Sequence, residues 1–149
     1  MITIEKFKKV SSDLKNIHVG LIGETIIDEY IYVKAIGTAS KDPVISTRKT
    51  GKETFPGGVL AVANHLSQFC ENIDLFSILG SKNSKERFIK NSLMKNINKN
   101  FFINNETETI IKTRFLEEKR LSKLFKMENS NEEIIPKNLE KQIIENLRE

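Results

Sequence analysis

The chain has 149 residues, enough for one domain or for part of a larger one, and 38% of them are hydrophobic and 30% charged. This composition supports a packed core and excludes a wholly disordered chain. The formal charge of +4 comes from 24 basic and 20 acidic side chains spread along the sequence. So small an excess favours anionic ligands in general without singling out nucleic acid, and we expect no nucleic-acid partner.

The sequence carries no signal for export or membrane insertion. Cys70 is the only cysteine, so an internal disulfide is impossible and a reducing compartment is expected. Residues 1–15 are amphipathic and lack the apolar core of a signal peptide. No stretch reaches the roughly 20 apolar residues that span a bilayer. We therefore expect a cytoplasmic protein that does not bind membranes.

The first predicted elements are a helix and a buried strand. An amphipathic helix is predicted by apolar residues at helical spacing: Ile4, Phe7, Val10 and Leu14. The apolar run from Ile17 to Ile22, which ends at Gly23, is typical of a parallel strand buried on both faces. Residues 30–36 and 44–49 alternate between polar and apolar side chains around a polar connection at 38–42. That alternation predicts strands covered on one face only.

The middle of the chain alternates between helices and strands. Pro56-Gly57-Gly58 opens a helix to about Phe69, whose predicted apolar stripe is Val59, Val62, Ala63 and Leu66. Residues 73–79 form a second buried strand that Gly80 closes. Ser84 caps a further predicted helix, and residues 101–103 form a third short strand.

The last part of the chain predicts a hairpin and a helix. Residues 109–116 and 121–127 form the two arms of the hairpin, and Pro136 begins the helix. Alternation of strands and helices predicts an α/β fold with a parallel, Rossmann-type sheet and flanking helices. The one-sided segments near 30–36, 44–49 and 109–127 predict a small separate sheet. Because such a helix normally leads into another strand, we expect this chain to be the N-terminal part of a longer protein.

The cluster Gly23-Glu24-Thr25-Ile26-Ile27-Asp28 follows the first buried strand. Asp28 should therefore lie near the carboxyl end of a strand, where open α/β sheets bind ligands. Its carboxylate can accept two hydrogen bonds from a vicinal diol, which suits a sugar. It can equally be a turn residue that caps backbone amides, and spacing alone does not separate the two interpretations.

A second cluster, Pro56-Gly57-Gly58, stands at a predicted helix start. A diglycine removes two Cβ atoms, so a ligand can approach the backbone closely, and the helix N-terminal amides remain free to donate. An ordinary tight turn is the alternative and is the more common role of a lone diglycine.

Taken in order, these clusters resemble ribokinase-like sugar kinases of the phosphofructokinase-B type. The resemblance covers about Ile17 to Met127. It rests on residues 19–30 (VGLIGETIIDEY), 40–44 (SKDPV), 55–58 (FPGG) and 79–80 (LG). Residues 112–115 (KTRF) and 123–125 (KLF) look most like the branch that phosphorylates heptose 7-phosphate for bacterial surface polysaccharide.

The resemblance implies roles for four residues. Asp28 matches the aspartate that holds sugar hydroxyls, and Gly57 and Gly58 match the diglycine that lines the sugar site. A side chain at position 58 should obstruct this site without unfolding the chain. Relatives place an asparagine early in the following helix. Here Val59 and its neighbours stand at that place, and Asn64 is expected to substitute one turn later. Arg114, on a lid strand, is a candidate ligand for a substrate phosphate, although strand charges are more often merely solvated.

The resemblance also implies ATP, Mg²⁺ and a homodimer that pairs through the lid strands. The family's catalytic aspartate lies in a Gly-Ala-Gly-Asp segment, and nothing similar occurs between Lys112 and Glu149. We therefore assign no catalytic residue and expect this piece alone to be inactive. With one cysteine and two separated histidines, no dedicated metal site is expected either.

Three interpretations remain open at this stage. The first is the substrate-binding portion of a sugar or sugar-phosphate kinase. The second is a non-catalytic sugar-binding or dimerisation module that kept the lid and lost the chemistry. The third, an unrelated Rossmann-like nucleotide binder, is disfavoured because no G-x-G-x-x-G motif follows the first strand.

Overall fold

The computed structural model describes residues 2–38, 41, 43–129 and 134–148. Residues 39, 40 and 42 of the expected polar connection lie outside the described residues. The elements are, in chain order, α1 (Ile4–Lys15), β1 (His18–Thr38), β2 (Ile45–Gly58), α2 (Val59–Leu66), β3 (Asn72–Lys82), α3 (Glu86–Ser92), β4 (Ile97–Glu108), β5 (Ile110–Glu117), β6 (Lys123–Glu128) and α4 (Lys137–Asn146).

All the strands join in one six-stranded sheet with the order β4-β3-β1-β5-β6, and β2 also pairs with β1. The pairs of β1 with β3, β3 with β4 and β1 with β5 are parallel. The pairs of β1 with β2 and β5 with β6 are antiparallel. The predicted α/β class, with a mostly parallel sheet and flanking helices, is confirmed.

The 21-residue strand β1 belongs to two parts of this sheet. Its first part, residues 18–24, pairs with β3. Its second part, residues 25–38, pairs with β2, and residues 26–33 also pair with β5. We call the second part of β1, together with β2, β5 and β6, the lid sheet.

The expected small lid sheet is confirmed, but it is continuous with the parallel sheet through β1. The segments predicted as lid strands do lie in the lid sheet, and the described pairs join none of β2, β5 and β6 to β3 or β4. However, the backbone stays extended through Gly23, which was expected to end the first strand. A single strand thus carries both parts of a continuous sheet.

The core lies between the parallel part of the sheet and the helices α2 and α3. Its fully buried side chains include Leu60 and Ala63 from α2 and Ile89 from α3. The strand residues that meet them are Ile27, Ile73, Leu75, Leu79 and Ile97. The predicted stripe of α2 is shifted, because Leu60 is buried whereas Val62 is 47% exposed.

Helix α1 forms where the periodicity predicts it, yet none of its residues is buried. Thr3 caps its N-terminus by accepting a hydrogen bond from the amide of Lys6. The apolar stripe of the helix is solvent-exposed, with Phe7 66% exposed. Among the described residues, no helix combines the length and the apolar character that crossing a bilayer requires.

Candidate functional site

Antiparallel pairing brings Asp28 beside the diglycine. Ile26 lies opposite Gly57, and Asp28 lies opposite Phe55. Asp28 is in the middle of β1, so the expectation that it stands near the carboxyl end of a strand is wrong. The antiparallel pairing of β1 with β2 thus joins the carboxylate to the diglycine.

The carboxylate of Asp28 lies directly against the backbone of Gly57. A Cβ atom built at position 57 would collide with Oδ2 of Asp28 and would stand 2.9 Å from its Cγ. Only glycine therefore leaves room for the carboxylate in its present position.

Gly58 is a glycine for a different reason. It precedes α2 with φ +56° and ψ −134°, a conformation that favours glycine. A Cβ atom there would lie 2.8 Å from the backbone oxygen of Glu24. Valine at position 58 would strain the backbone, so the expectation that it obstructs the site without disturbing the fold is wrong.

Arg114 completes the cluster from β5. Its Nη1 donates a hydrogen bond to Oδ1 of Asp28 and forms an ion pair with it. Each of the two side chains is 23% exposed. This hydrogen bond raises the pKa of the Arg114 guanidinium, although partial burial opposes the shift. Asp28 thus has one oxygen held by a cation while the other faces Gly57.

Asn64 does not join this cluster. Its side-chain amide donates to the carbonyl of Ser92 at 2.8 Å, and its carbonyl accepts from the amide of Met94 at 3.1 Å. Both ends of the side chain therefore tie α2 to the segment that ends α3. In this structure Asn64 has a structural role.

A small pocket of about 200 Å³ lies next to Asp28 in the lid sheet, and its other lining residues had no role assigned from the sequence. They are Tyr30, Tyr32, Glu53 and Phe55. The rings of Tyr30 and Phe55 meet edge to face at 5.8 Å, and Arg114 lies 5.4 Å from the Tyr30 ring centroid. The only available sequence signal was that residues 28, 30 and 32 share one face of a strand.

A hydrogen bond closes the far end of the pocket. The hydroxyl of Tyr32 donates to Oε2 of Glu53 at 2.6 Å. This hydrogen bond, together with the charge of Glu53, raises the pKa of Tyr32 above its ordinary value of 10.0. At neutral pH, Tyr32 is therefore a fixed donor and Glu53 an acceptor.

A second, more apolar cleft of about 240 Å³ contains neither Asp28 nor Arg114. It lies between the parallel part of the sheet and α4. Its apolar lining consists of Ile22, Phe76, Ile78, Phe102, Ile110, Ile135 and Ile143. The same cleft is also lined by polar side chains: Glu24, Thr25, Ser77, Asn104, Thr107, Glu108 and Thr109.

Solved structures share this architecture. A putative phosphofructokinase from Staphylococcus aureus matches with a TM-score of 0.58 and 18% identity, over 87% of this chain and 39% of that chain. Phosphofructokinase-2 from Escherichia coli, solved with fructose-6-phosphate, matches with a TM-score of 0.56 and 14% identity, over 87% of this chain and 41% of that chain. A Methanocaldococcus jannaschii nucleoside kinase, described as an archaeal member of the ribokinase family, matches with a TM-score of 0.51 and 20% identity, over 74% of this chain and 36% of that chain.

The fold is ribokinase-like. The chain spans about two fifths of the length of these neighbours. No protein-family model and no curated protein sequence matches it. At these identities the likeness concerns the ribokinase-like fold, and function has to be argued from the site.

Proposed function

We propose that this chain is the sugar-binding portion of an ATP-dependent kinase that acts on a sugar or sugar phosphate. The observation that carries the proposal is the convergence of Asp28, Gly57 and Arg114 at one point of a ribokinase-like fold. A carboxylate with one anchored oxygen, set against bare backbone, is suited to accept hydrogen bonds from sugar hydroxyls.

The three residues divide the work of binding. Arg114 fixes the orientation of Asp28 through Oδ1, which reduces the ordering that sugar binding would otherwise require. The absence of a Cβ atom at Gly57 lets the carboxylate of Asp28 lie against the backbone in this orientation. The guanidinium carries five N–H donors, so Arg114 can also contact an anionic substituent of the sugar.

A sugar phosphate is the substrate class that we favour. A guanidinium beside the hydroxyl-binding carboxylate suits a ligand that carries both hydroxyls and a phosphate. The resemblance of residues 112–115 and 123–125 to heptose 7-phosphate kinases makes that heptose phosphate the first candidate. A role in bacterial surface polysaccharide synthesis would follow from it.

The described residues do not fit ATP and Mg²⁺. Within the described ranges, no group of three or more His, Cys, Asp or Glu side chains could hold a metal ion. The sequence also lacks a glycine-rich segment after Lys112 that could cradle a phosphate. The proposal therefore assigns ATP, Mg²⁺ and the catalytic base to polypeptide outside this chain.

Calorimetry on Asp28→Asn tests the proposal. The substitution keeps the shape of the side chain and removes the charge, so we expect sugar binding to weaken by roughly 1.5–3 kcal/mol. The probes are heptose 7-phosphate, fructose 6-phosphate and ribose. Asp74→Asn is a matched control, because Asp74 is also a strand carboxylate bonded to a side chain of the neighbouring strand, His18, at 2.5 Å. Unchanged affinity in a folded Asp28→Asn protein would contradict the proposal.

We also propose that the lid sheet pairs two copies of the chain. The support is a group of exposed apolar side chains on β6, where Phe125 is 57% and Met127 58% exposed. Phe125 stacks on Phe115 at 4.3 Å, on the face of the lid opposite to Asp28. Sedimentation should give a dimer for the wild type and a monomer for Phe125→Asp. A wild-type monomer at high concentration would exclude this arrangement.

A non-catalytic binding or dimerisation module is the alternative, and the same exposed lid residues favour it. The two functions differ in what they require beyond this chain. If downstream polypeptide restores sugar phosphorylation, the kinase function holds. If the natural reading frame contains no phosphate-binding segment, the module is favoured.

A further inference from the structure

The pocket beside Asp28 is built like a polyol site. Two carboxylates line it, Asp28 from β1 and Glu53 from β2, and aromatic rings lie between them. The register places Phe55 opposite Asp28 and Glu53 opposite Tyr30. Alternate residues of each strand point to one face, so these four side chains project together.

The aromatic part of the pocket is held in place from several sides. Tyr30 is fixed by the edge of Phe55 and by the guanidinium of Arg114. Tyr32 is fixed by its hydrogen bond to Glu53. Phe55 nevertheless remains 46% exposed, so part of its ring faces solvent. A rigid surround with one solvent-facing ring is a preorganised surface for a ligand.

A monosaccharide matches this chemistry. Its ring carries C–H groups on its faces and hydroxyls at its edges. The C–H groups bear partial positive charge, which is attracted to the negative face of an aromatic ring. The hydroxyls are donors, which carboxylates accept. A pocket of about 200 Å³ holds one such ring rather than an extended chain.

We propose that the sugar ring binds in this pocket and stacks on Phe55, while its hydroxyls donate hydrogen bonds to the carboxylates of Asp28 and Glu53. Phe55 and Glu53 are thus additional binding residues that set specificity for a ring with an exposed C–H face. Tyr30 and Tyr32 are positioning residues that hold Phe55 and Glu53. This inference rests on the proposed function, because it extends the site that Asp28 begins.

The tyrosines give the test a direct signal. Tyr30 and Tyr32 are the only two tyrosines of the chain, and it has no tryptophan. Intrinsic fluorescence of the protein therefore reports on this pocket alone. Titration of the wild type with heptose 7-phosphate, fructose 6-phosphate or ribose should change that fluorescence and should protect the tyrosines from quenching by acrylamide.

Phe55→Leu separates ligand stacking from lid packing. Leucine keeps an apolar side chain against Tyr30 and removes the aromatic face. We expect sugar affinity to fall about three- to tenfold, with the thermal midpoint nearly unchanged. Phe69→Leu is the matched control, since Phe69 is 55% exposed and lies just beyond α2, outside the pocket. The Phe69→Leu protein should bind the sugar with the affinity of the wild type.

The outcomes distinguish the pocket from the wider proposal. Weakened binding in both Asp28→Asn and Phe55→Leu, with Phe69→Leu unaffected, supports the pocket. Weakened binding in Asp28→Asn alone overturns the pocket and leaves the proposed function standing. The wild type alone gives a further test. If calorimetry shows that it binds a sugar but the sugar does not protect the tyrosines from acrylamide quenching, the pocket proposal is also overturned. If none of the three probes binds, both proposals fail.

Discussion

Gly57 and Gly58 are neighbours in sequence, yet different atoms require each of them to be glycine. At position 57 the obstacle is the side chain of Asp28, whose displacement would disturb its ion pair with Arg114. At position 58 the obstacles are a backbone oxygen and a φ of +56°, neither of which can adjust locally. The first glycine therefore serves the site, whereas the second serves the fold.

Alanine at the two positions should separate these roles. Gly57→Ala displaces the carboxylate of Asp28 and disturbs its ion pair with Arg114, so sugar affinity should fall, with a smaller loss of unfolding free energy than in Gly58→Ala. Gly58→Ala should lower the free energy of unfolding by roughly 1–3 kcal/mol because of backbone strain. Urea denaturation and calorimetry on both variants measure the two effects. An equal loss of stability in both variants would show that the distinction is wrong.

The pKa of Tyr32 depends on Glu53. With the proton bound, the phenol stabilises the folded state through its hydrogen bond. That contribution is complete below pH 10.0, the ordinary pKa, and is lost as the pH rises through the raised pKa of the folded state. In a Tyr30→Phe background, Glu53→Ala should return the pKa of Tyr32 toward 10.0.

Tyrosinate absorbance during a pH titration measures this shift. Glu29→Ala is the control, because Glu29 alternates with residues 28 and 30 along β1 and pairs with Lys52 on the other face. If Glu53→Ala leaves the pKa of Tyr32 unchanged, the hydrogen bond from Tyr32 to Glu53 is not the cause of the raised pKa.

The sequence predicted part of the site and could not predict the rest. Asp28, Gly57 and Arg114 were found by type and order, and the structure places them together. The pocket residues Phe55 and Glu53 were missed because their position depends on the register between β1 and β2, which two bulges shift. Asn64 was expected at the site because relatives place an asparagine early in this helix, but its side chain bonds to the end of α3 and the segment after it.

At the scale of elements, strand lengths were the least predictable feature. Gly23 was taken as the end of a strand, although the extended backbone continues to Thr38. A third strand was expected at residues 101–103, whereas β4 covers Ile97–Glu108 and pairs with β3. The asparagines and the lysine of β4 interrupt the apolar run by which a buried strand is recognised. Helix positions were predicted better, since apolar periodicity is a local signal.

A buried hydroxyl network secures β1 to β3 where the lid sheet begins. The hydroxyls of Thr25 and Ser77 lie 2.6 Å apart, and Ser77 donates to the carbonyl of Gly23 at 2.7 Å. Both side chains are buried. The network therefore fixes the strand at the point where its neighbours change.

Ser77→Ala should destabilise the fold by about 1–3 kcal/mol, because it leaves the buried hydroxyl of Thr25 without this partner. Equilibrium unfolding in urea measures the change. The double variant Thr25→Val, Ser77→Ala should recover part of the loss, since it removes both polar groups. A loss of unfolding free energy in the double variant that exceeds the sum of the losses in the two single variants would contradict this account.

At the scale of the whole molecule, the chain holds a candidate site for a sugar and, after Lys112, no glycine-rich segment that could cradle a phosphate. We therefore expect no sugar-dependent release of ADP by the chain alone. An enzyme-linked ADP assay with heptose 7-phosphate measures this, and the same assay without sugar is the control. ADP release above the control would show that phosphoryl transfer uses residues that we have not assigned.

The shared strand β1 also has a structural consequence. The lid sheet is not joined to the parallel sheet by a loop, because the single strand β1 runs through both. Residues 26–32 of this strand, which include Asp28, pair with β2 on one side and with β5 on the other. Its free end carries two bulges, after Tyr32 and after Ala35, and Gly37 with φ +135°. The irregular pairing is therefore confined to residues beyond Tyr32, and Asp28 lies in the regularly paired part of the strand.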